Sequence, residues 1–126
     1  MFEQDYIMRL IKEMLRTILK LLFHMDIDSP TEDLLKNEEK ESWKRLLDMI
    51  HRGNINEAEN LVYEMTSNGD MSNLKIALLF YSCLNDKDDN FLMEHGFERE
   101  EIKFGIESLV SRYGLTGMTD IFLEDI

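Results

Sequence analysis

The sequence contains very little cysteine, proline or valine. Cys83 is the only cysteine among 126 residues, which excludes an intrachain disulfide and a four-cysteine zinc site. There is one proline, and there are 2 valines against 18 leucines and 9 methionines. Leucine and methionine favour helices, whereas β-branched valine favours strands. This bias predicts a single all-α domain, residues 1–126, long enough to bury a hydrophobic core.

Long apolar runs and an excess of positive charge are also missing. No stretch approaches the roughly 18 apolar residues that a membrane-spanning helix needs. The formal net charge of −12 opposes binding to nucleic acid and, through the body of the protein, to anionic lipid. Glu3 and Asp5 near the start are unlike a secretory signal, and a lone thiol fits a reducing compartment. We therefore expect a cytoplasmic protein with no nucleic-acid partner and no transmembrane segment.

Positive charge is concentrated in one amphipathic segment. Residues 1–25 contain 4 basic and 3 acidic residues, a net charge of +1, and residues 26–126 contain 10 and 23, a net charge of −13. The three- and four-residue spacing of the apolar side chains predicts a helix with one broad apolar face, formed by Ile7, Leu10, Ile11, Met14, Leu15, Ile18, Leu21 and Leu22. The opposite face has four cations, which we call the basic stripe: Arg9, Lys12, Arg16 and Lys20.

The basic stripe has two interpretations. The first is a docking face for an acidic partner or an anionic membrane. The second is a solvated face whose charges meet the acidic body, and we favour it because charge runs on helices are commonly solvated. Glu3, Asp5 and Glu13 on the same helix further disfavour contact with a membrane surface. If the apolar face is wider than the domain can cover, it forms a homodimer interface.

Capping and stop signals divide residues 26–126 into helices. Ser29 and Pro30 are typical of an N-cap and a first helical position. The segment 30–52 is helical by composition, with a second start capped by Asn37 as the alternative to one continuous helix. Gly53 is a suitable stop, because glycine adopts positive φ at little cost.

The remaining segments complete six or seven helices. One helix ends at the turn 67–70, and the segment 74–84 is apolar on most sides, as expected of a central helix. A short helix stops at Gly96, another follows over 98–113, and a last turn begins at Thr116. Gly105, in the middle of a helix, indicates a close crossing of another helix. Short connections predict antiparallel hairpins, with 1–25 as an amphipathic edge helix and 26–126 as an acidic helical-hairpin body.

Two stretches resemble known families. Residues 53–58, Gly-Asn-Ile-Asn-Glu-Ala, followed by Leu61 and Val62, resemble the turn and second helix of a tetratricopeptide hairpin, with Trp43 in the first helix. This implies one repeat-like hairpin at 43–66 inside an irregular helical bundle. The start of the chain, Met-Phe-Glu-Gln-Asp-Tyr-Ile-Met-Arg, is similar to that of a family of uncharacterised small proteins from Gram-positive bacteria. That similarity implies a bacterial cytosolic origin and supplies no site residues.

The titratable residues do not form a convincing catalytic or metal site. Asp48 and His51 have the i, i+3 spacing of half a carboxylate–histidine metal pair, but a di-iron bundle needs two such pairs and further carboxylates. The run 86–90 imitates the first ligands of a calcium loop, yet Phe91 replaces its required glycine. Cys83 follows apolar residues with no adjacent base, which predicts a buried structural thiol.

We therefore predict a non-enzymatic protein-interaction or scaffold module with no cofactor and no bound metal. Homodimerisation through the first helix is part of this prediction. One alternative is a peripheral binder of an acidic partner or an anionic membrane, acting through the basic stripe. The other alternative is a metal-dependent enzyme of unknown type that uses surface carboxylates.

Overall fold

A computed structural model describes residues 2–115 and contains seven helices in that range. They are α1 (Phe2–Phe23), α2 (Thr31–Leu34), α3 (Asn37–His51), α4 (Ile55–Met65), α5 (Met71–Asn85), α6 (Asp89–Glu94) and α7 (Arg99–Arg112). No strand occurs in this part of the chain, so the predicted all-α fold is confirmed. None of the described helices is both long and apolar enough to cross a membrane. The last turn expected from Thr116 lies outside the described residues.

Helix α5 is the centre of the core, as its composition predicts. Every residue from 74 to 81 is buried, and so are Leu84 and Asn85 near the end of the helix. Helices α1, α3, α4 and α7 all pack against α5. This arrangement explains why α5 lacks a continuous polar face, since little of its surface meets water.

Helix α1 uses its apolar face inside the domain. Its fully buried residues belong to the core, and α1 packs against α5 and α7; these residues are Ile11, Met14, Leu15, Ile18 and Leu19. The prediction for Leu21 was wrong, because its side chain is 61% exposed, while Leu19 is buried in its place. The buried face is therefore rotated slightly from the predicted one. Because α5 and α7 cover it, the apolar face of α1 gives no support to a homodimer.

The N-caps of the two helices that follow α1 each lie one residue away from their predicted positions. Helix α2 begins at Thr31 and has Pro30 as its N-cap, in place of Ser29. The alternative of two helices is the correct one, because the chain is extended at Leu35 and Lys36 before α3 begins. Asn37 is the first residue of α3 and not its cap. The backbone N–H of Lys36 instead donates to Oε1 of Glu39 at 2.8 Å.

The turn between α3 and α4 is closed by Gly53, as predicted, with φ of +82°. The two helices pack against each other across this turn. A side chain at position 53 would overlap the ring of His95, which lies between α6 and α7. That ring is itself held, because Nδ1 lies 2.8 Å from the carbonyl oxygen of Phe91. The α3–α4 turn and the α6–α7 turn are thus in direct contact. The tetratricopeptide-like character of the hairpin stays a prediction.

Gly53→Ala should lower the free energy of unfolding by about 2–4 kcal/mol, since it adds positive-φ strain and displaces the His95 ring. Gly69→Ala is the matched control, because Gly69 has φ of +75° and open space around it. We expect that control to cost only about 1 kcal/mol. Urea denaturation measures both values. Equal losses for the two variants would contradict the packing role of His95.

Candidate functional site

The candidate site is a groove between α4 and α7 with α5 as its floor, which we call the α4–α7 groove. Its volume is about 390 Å³, within the range of small-ligand pockets. Exposed aromatic rings, carboxylates and one guanidinium all face it. The lining residues that matter below are Glu59, Tyr63, Tyr81, Glu101, Phe104, Gly105, Ser108 and Arg112.

Helices α4 and α7 run in the same direction along the two sides of the groove. At one end, Arg112 Nη1 donates to Thr66 Oγ1 at 2.8 Å, and Nη2 donates to the carbonyl oxygen of Tyr63 at 3.1 Å. At the other end, Glu59 of α4 and Glu101 of α7 are close enough to repel each other. The rise of a helix makes the distance from Glu101 to Arg112 about 16 Å. A groove of that length takes about five residues of extended chain.

The depth of the groove depends on Gly105. A Cβ atom at this position would overlap Tyr81 Oη, so the hydroxyl of Tyr81 lies directly beneath the α7 backbone. Gly105 was predicted to mark a close helix crossing, but the close neighbour is the side chain of Tyr81 from α5 and not a helix backbone. Glycine inside a helix costs about 1 kcal/mol relative to alanine. Here the missing side chain of Gly105 leaves room for the Tyr81 hydroxyl.

Glu59 is the carboxylate at the acidic end of the groove. Tyr81 Oη donates to Glu59 Oε2 at 2.8 Å. Burial raises the pKa of Glu59 above its ordinary value, and the charge of Glu101 raises it further, although the Tyr81 hydrogen bond opposes both. Burial also raises the pKa of Tyr81, with Glu59 adding to the effect, so this hydroxyl remains a donor. No lysine or arginine in the described residues forms an ion pair with Glu59.

Two exposed aromatic rings form the upper walls. Tyr63 is 62% exposed and Phe104 is 58% exposed, although large aromatic side chains are mostly buried. The guanidinium carbon of Arg112 lies 4.1 Å from the ring centroid of Tyr63. Lys103 Nζ lies 5.4 Å from the ring centroid of Phe104. Each wall therefore already shows the attraction between a cation and an aromatic ring.

The basic stripe is partly neutralised within the domain. Arg16 Nη1 lies 2.8 Å from Asp28 Oδ2, and Lys12 Nζ lies 3.8 Å from Asp28 Oδ1. The hydrogen bond from Arg16 lowers the pKa of Asp28. Arg9 donates to the backbone oxygen of Asp5, and Lys20 is exposed. This geometry agrees with charges that meet the acidic body, while a partner-binding role of the stripe stays a prediction.

The other sequence candidates have local roles. Asp48 forms an ion pair with Arg52 at 3.2 Å. Asp88 Oδ1 accepts from the N–H of Phe91 at 2.7 Å and so caps α6, as the capping interpretation of that loop predicts. Within residues 2–115, no three histidine, cysteine, aspartate or glutamate side chains are grouped as metal ligands. Cys83 is half-buried, less than predicted, and burial raises its pKa.

The aromatic walls and the carboxylates of the groove were not predicted from the sequence. The signal that was available is the placement of Tyr63 and Phe104 away from the apolar faces of their own helices. Large aromatic residues at such positions are exposed unless another element covers them. The sequence does not show that these two rings flank the same groove, because that depends on how α4 and α7 pack against α5.

Comparisons with known proteins give one result. The model of a protein family described as a family of unknown function matches residues 1–114. No curated protein and no solved structure matches the chain significantly.

Proposed function

We propose that this chain, which belongs to the DUF6483 family of unknown function, is a non-enzymatic protein-interaction module that binds a segment of a partner protein in the α4–α7 groove. The observation that carries the proposal is the pair of exposed rings, Tyr63 and Phe104, above the floor formed by Tyr81. Aromatic side chains are enriched in the central parts of protein interfaces. A protein segment is the proposed occupant because the groove is open along about 16 Å of helix.

The alternatives have weaker support. Binding of an acidic partner or an anionic membrane by the basic stripe has to compete with Asp28, which already pairs with Lys12 and Arg16. A metal-dependent enzyme would need a group of ligands that residues 2–115 do not bring together. The cytoplasm remains our proposed location.

Ser108→Trp should strongly weaken the binding of peptides to the groove, because the indole occupies the space beside Gly105. The probe is a displayed library of random ten-residue peptides, selected on the immobilised parent protein. Peptides recovered in this way should bind Ser108→Trp at least about tenfold more weakly than the parent, measured by fluorescence polarisation. Ser111→Trp is the matched control, since Ser111 is an exposed serine of the same helix outside the groove lining.

The control should retain the affinity of the parent. Thermal melting shows whether both variants are folded, and Phe104→Ser is a second groove variant that removes one wall without adding bulk. Phe104→Ser should also weaken the recovered peptides. Recovery of no peptides from the library, or equal affinity of the groove variants and the control, would overturn the proposal.

A further inference from the structure

We infer that the partner segment is basic and that one of its lysine or arginine side chains pairs with Glu59 at the acidic end of the groove. This inference rests on the proposed function and names the chemistry of the occupant. Three observations carry it: the carboxylate of Glu59, the aromatic walls and the charge of the whole molecule.

Glu59 has no cationic partner among the described residues. A carboxylate accepts about four hydrogen bonds, and Tyr81 provides one of them. Glu101 adds a second negative charge nearby, so the domain holds two repelling carboxylates at one end of its groove. The helix dipole favours an acidic residue in the first turn of a helix. Glu59 lies beyond the first turn of α4 and does not gain this stabilisation. A ligand cation would offset both the repulsion from Glu101 and the electrostatic cost of keeping this carboxylate partly buried.

The aromatic walls suit the same ligand. Lysine and arginine have long apolar stems, which pack on aromatic rings while the charged end reaches a carboxylate. At the opposite end of the groove, the guanidinium of Arg112 already lies over the Tyr63 ring. The groove is therefore acidic at the Glu59 end and basic at the Arg112 end, which places the cationic side chain of the bound segment at the Glu59 end.

The net charge favours a basic partner. With a charge of −12, the molecule attracts cationic segments at long range and repels acidic ones. Long-range attraction alone would act at any acidic position on the surface. The test must therefore separate Glu59 from the other carboxylates.

The test uses two displayed libraries of ten-residue peptides that differ only at the central residue, lysine in one and methionine in the other. Methionine keeps the unbranched stem and removes the charge. The lysine library should give peptides that bind the parent at least about tenfold more tightly than their own Lys-to-Met versions. Glu59→Gln should reduce this preference to less than about twofold, because glutamine keeps the acceptor for Tyr81 but has no charge.

Glu64→Gln is the matched control. Glu64 is an exposed residue of α4 outside the groove, and its replacement changes the net charge by the same amount. Glu59→Gln should also melt no lower than the parent at neutral pH. The raised pKa of Glu59 means that its protonated form stabilises the fold in acid and that this stability is lost as the pH rises. Glutamine cannot ionise and avoids that loss.

The outcomes separate the two proposals. If peptides from both libraries bind with equal affinity and Ser108→Trp weakens them all, the groove binds peptides without the cation, and only this inference fails. If Glu64→Gln weakens lysine peptides as much as Glu59→Gln does, the attraction is general and the inference also fails. If neither library gives peptides that bind, both the proposed function and this inference fail.

Discussion

Replacement of Arg99 by alanine should lower the free energy of unfolding by about 3–5 kcal/mol, one of the two largest effects that we expect from a single substitution. The side chain is only 2% exposed, although it is charged. Its Nη1 donates to the backbone oxygen of Asn85 at 2.7 Å, and its Nη2 donates to the backbone oxygen of Lys87 at 3.0 Å and to Asp89 Oδ1 at 2.6 Å. Alanine leaves the buried oxygens of Asn85 without their donor and opens a cavity.

The measurement is urea denaturation, with two further variants. Arg99→Lys should lower the free energy of unfolding nearly as much as Arg99→Ala does, because an ammonium group lacks the planar fork that reaches several acceptors at once. Arg52→Ala is the control, since Arg52 is exposed and forms an i, i+4 ion pair with Asp48. That variant should cost less than about 1 kcal/mol. A loss for Arg99→Ala no greater than for Arg52→Ala would show that the network around Arg99 is not needed for stability.

Lys75→Met should cost about 3–5 kcal/mol, because it leaves a buried carboxylate without its cation. Lys75 Nζ lies 2.6 Å from Glu39 Oε1, and both side chains are at most 5% exposed. Adding Glu39→Gln should restore at least half of the loss, since glutamine removes the charge and can still accept from the Lys36 N–H. Lys44→Met is an exposed control on α3. Failure of the double variant to recover stability would contradict the role of the unpaired charge.

The same pair predicts a dependence on pH. Burial raises the pKa of Glu39, but hydrogen bonds from Lys75 and from Lys36 lower it more, so the net shift is downward. The pair therefore stabilises the fold above the ordinary glutamate pKa, and that stability is lost as the pH falls through the lowered value. In Lys75→Met the carboxylate is buried and unpaired, so protonation relieves its cost. The loss caused by Lys75→Met, measured by urea denaturation at several pH values, should shrink in acid.

The order of the helices could be predicted from the spacing of leucine and methionine, and the central place of α5 from its lack of a polar face. The exact buried face of α1 could not, because Leu19 and Leu21 are equally apolar and only the packing against α5 and α7 selects between them. The partner of Arg16 was also beyond the sequence, because Asp28 lies in a loop whose path depends on tertiary contacts.

The groove could not be predicted either, because it also depends on tertiary contacts. Gly105 indicates a close approach, but its place in the helix does not identify Tyr81 as the neighbour. Glu59 looks like any other acidic residue on a helix of this acidic chain until Tyr81 and Glu101 are placed beside it. Tertiary packing thus creates the site from residues whose local patterns are ordinary.

The packing of α1 against both α5 and α7 has a consequence during synthesis on the ribosome. Helix α1 emerges before either partner, and Asn85, whose side chain donates to the Met8 carbonyl, is separated from Met8 by 77 positions. Until α7 has also left the exit tunnel, the apolar face of α1 has no permanent cover. Nascent chains of this protein are therefore expected to expose an amphipathic helix that is prone to associate with other apolar surfaces until the later helices are made.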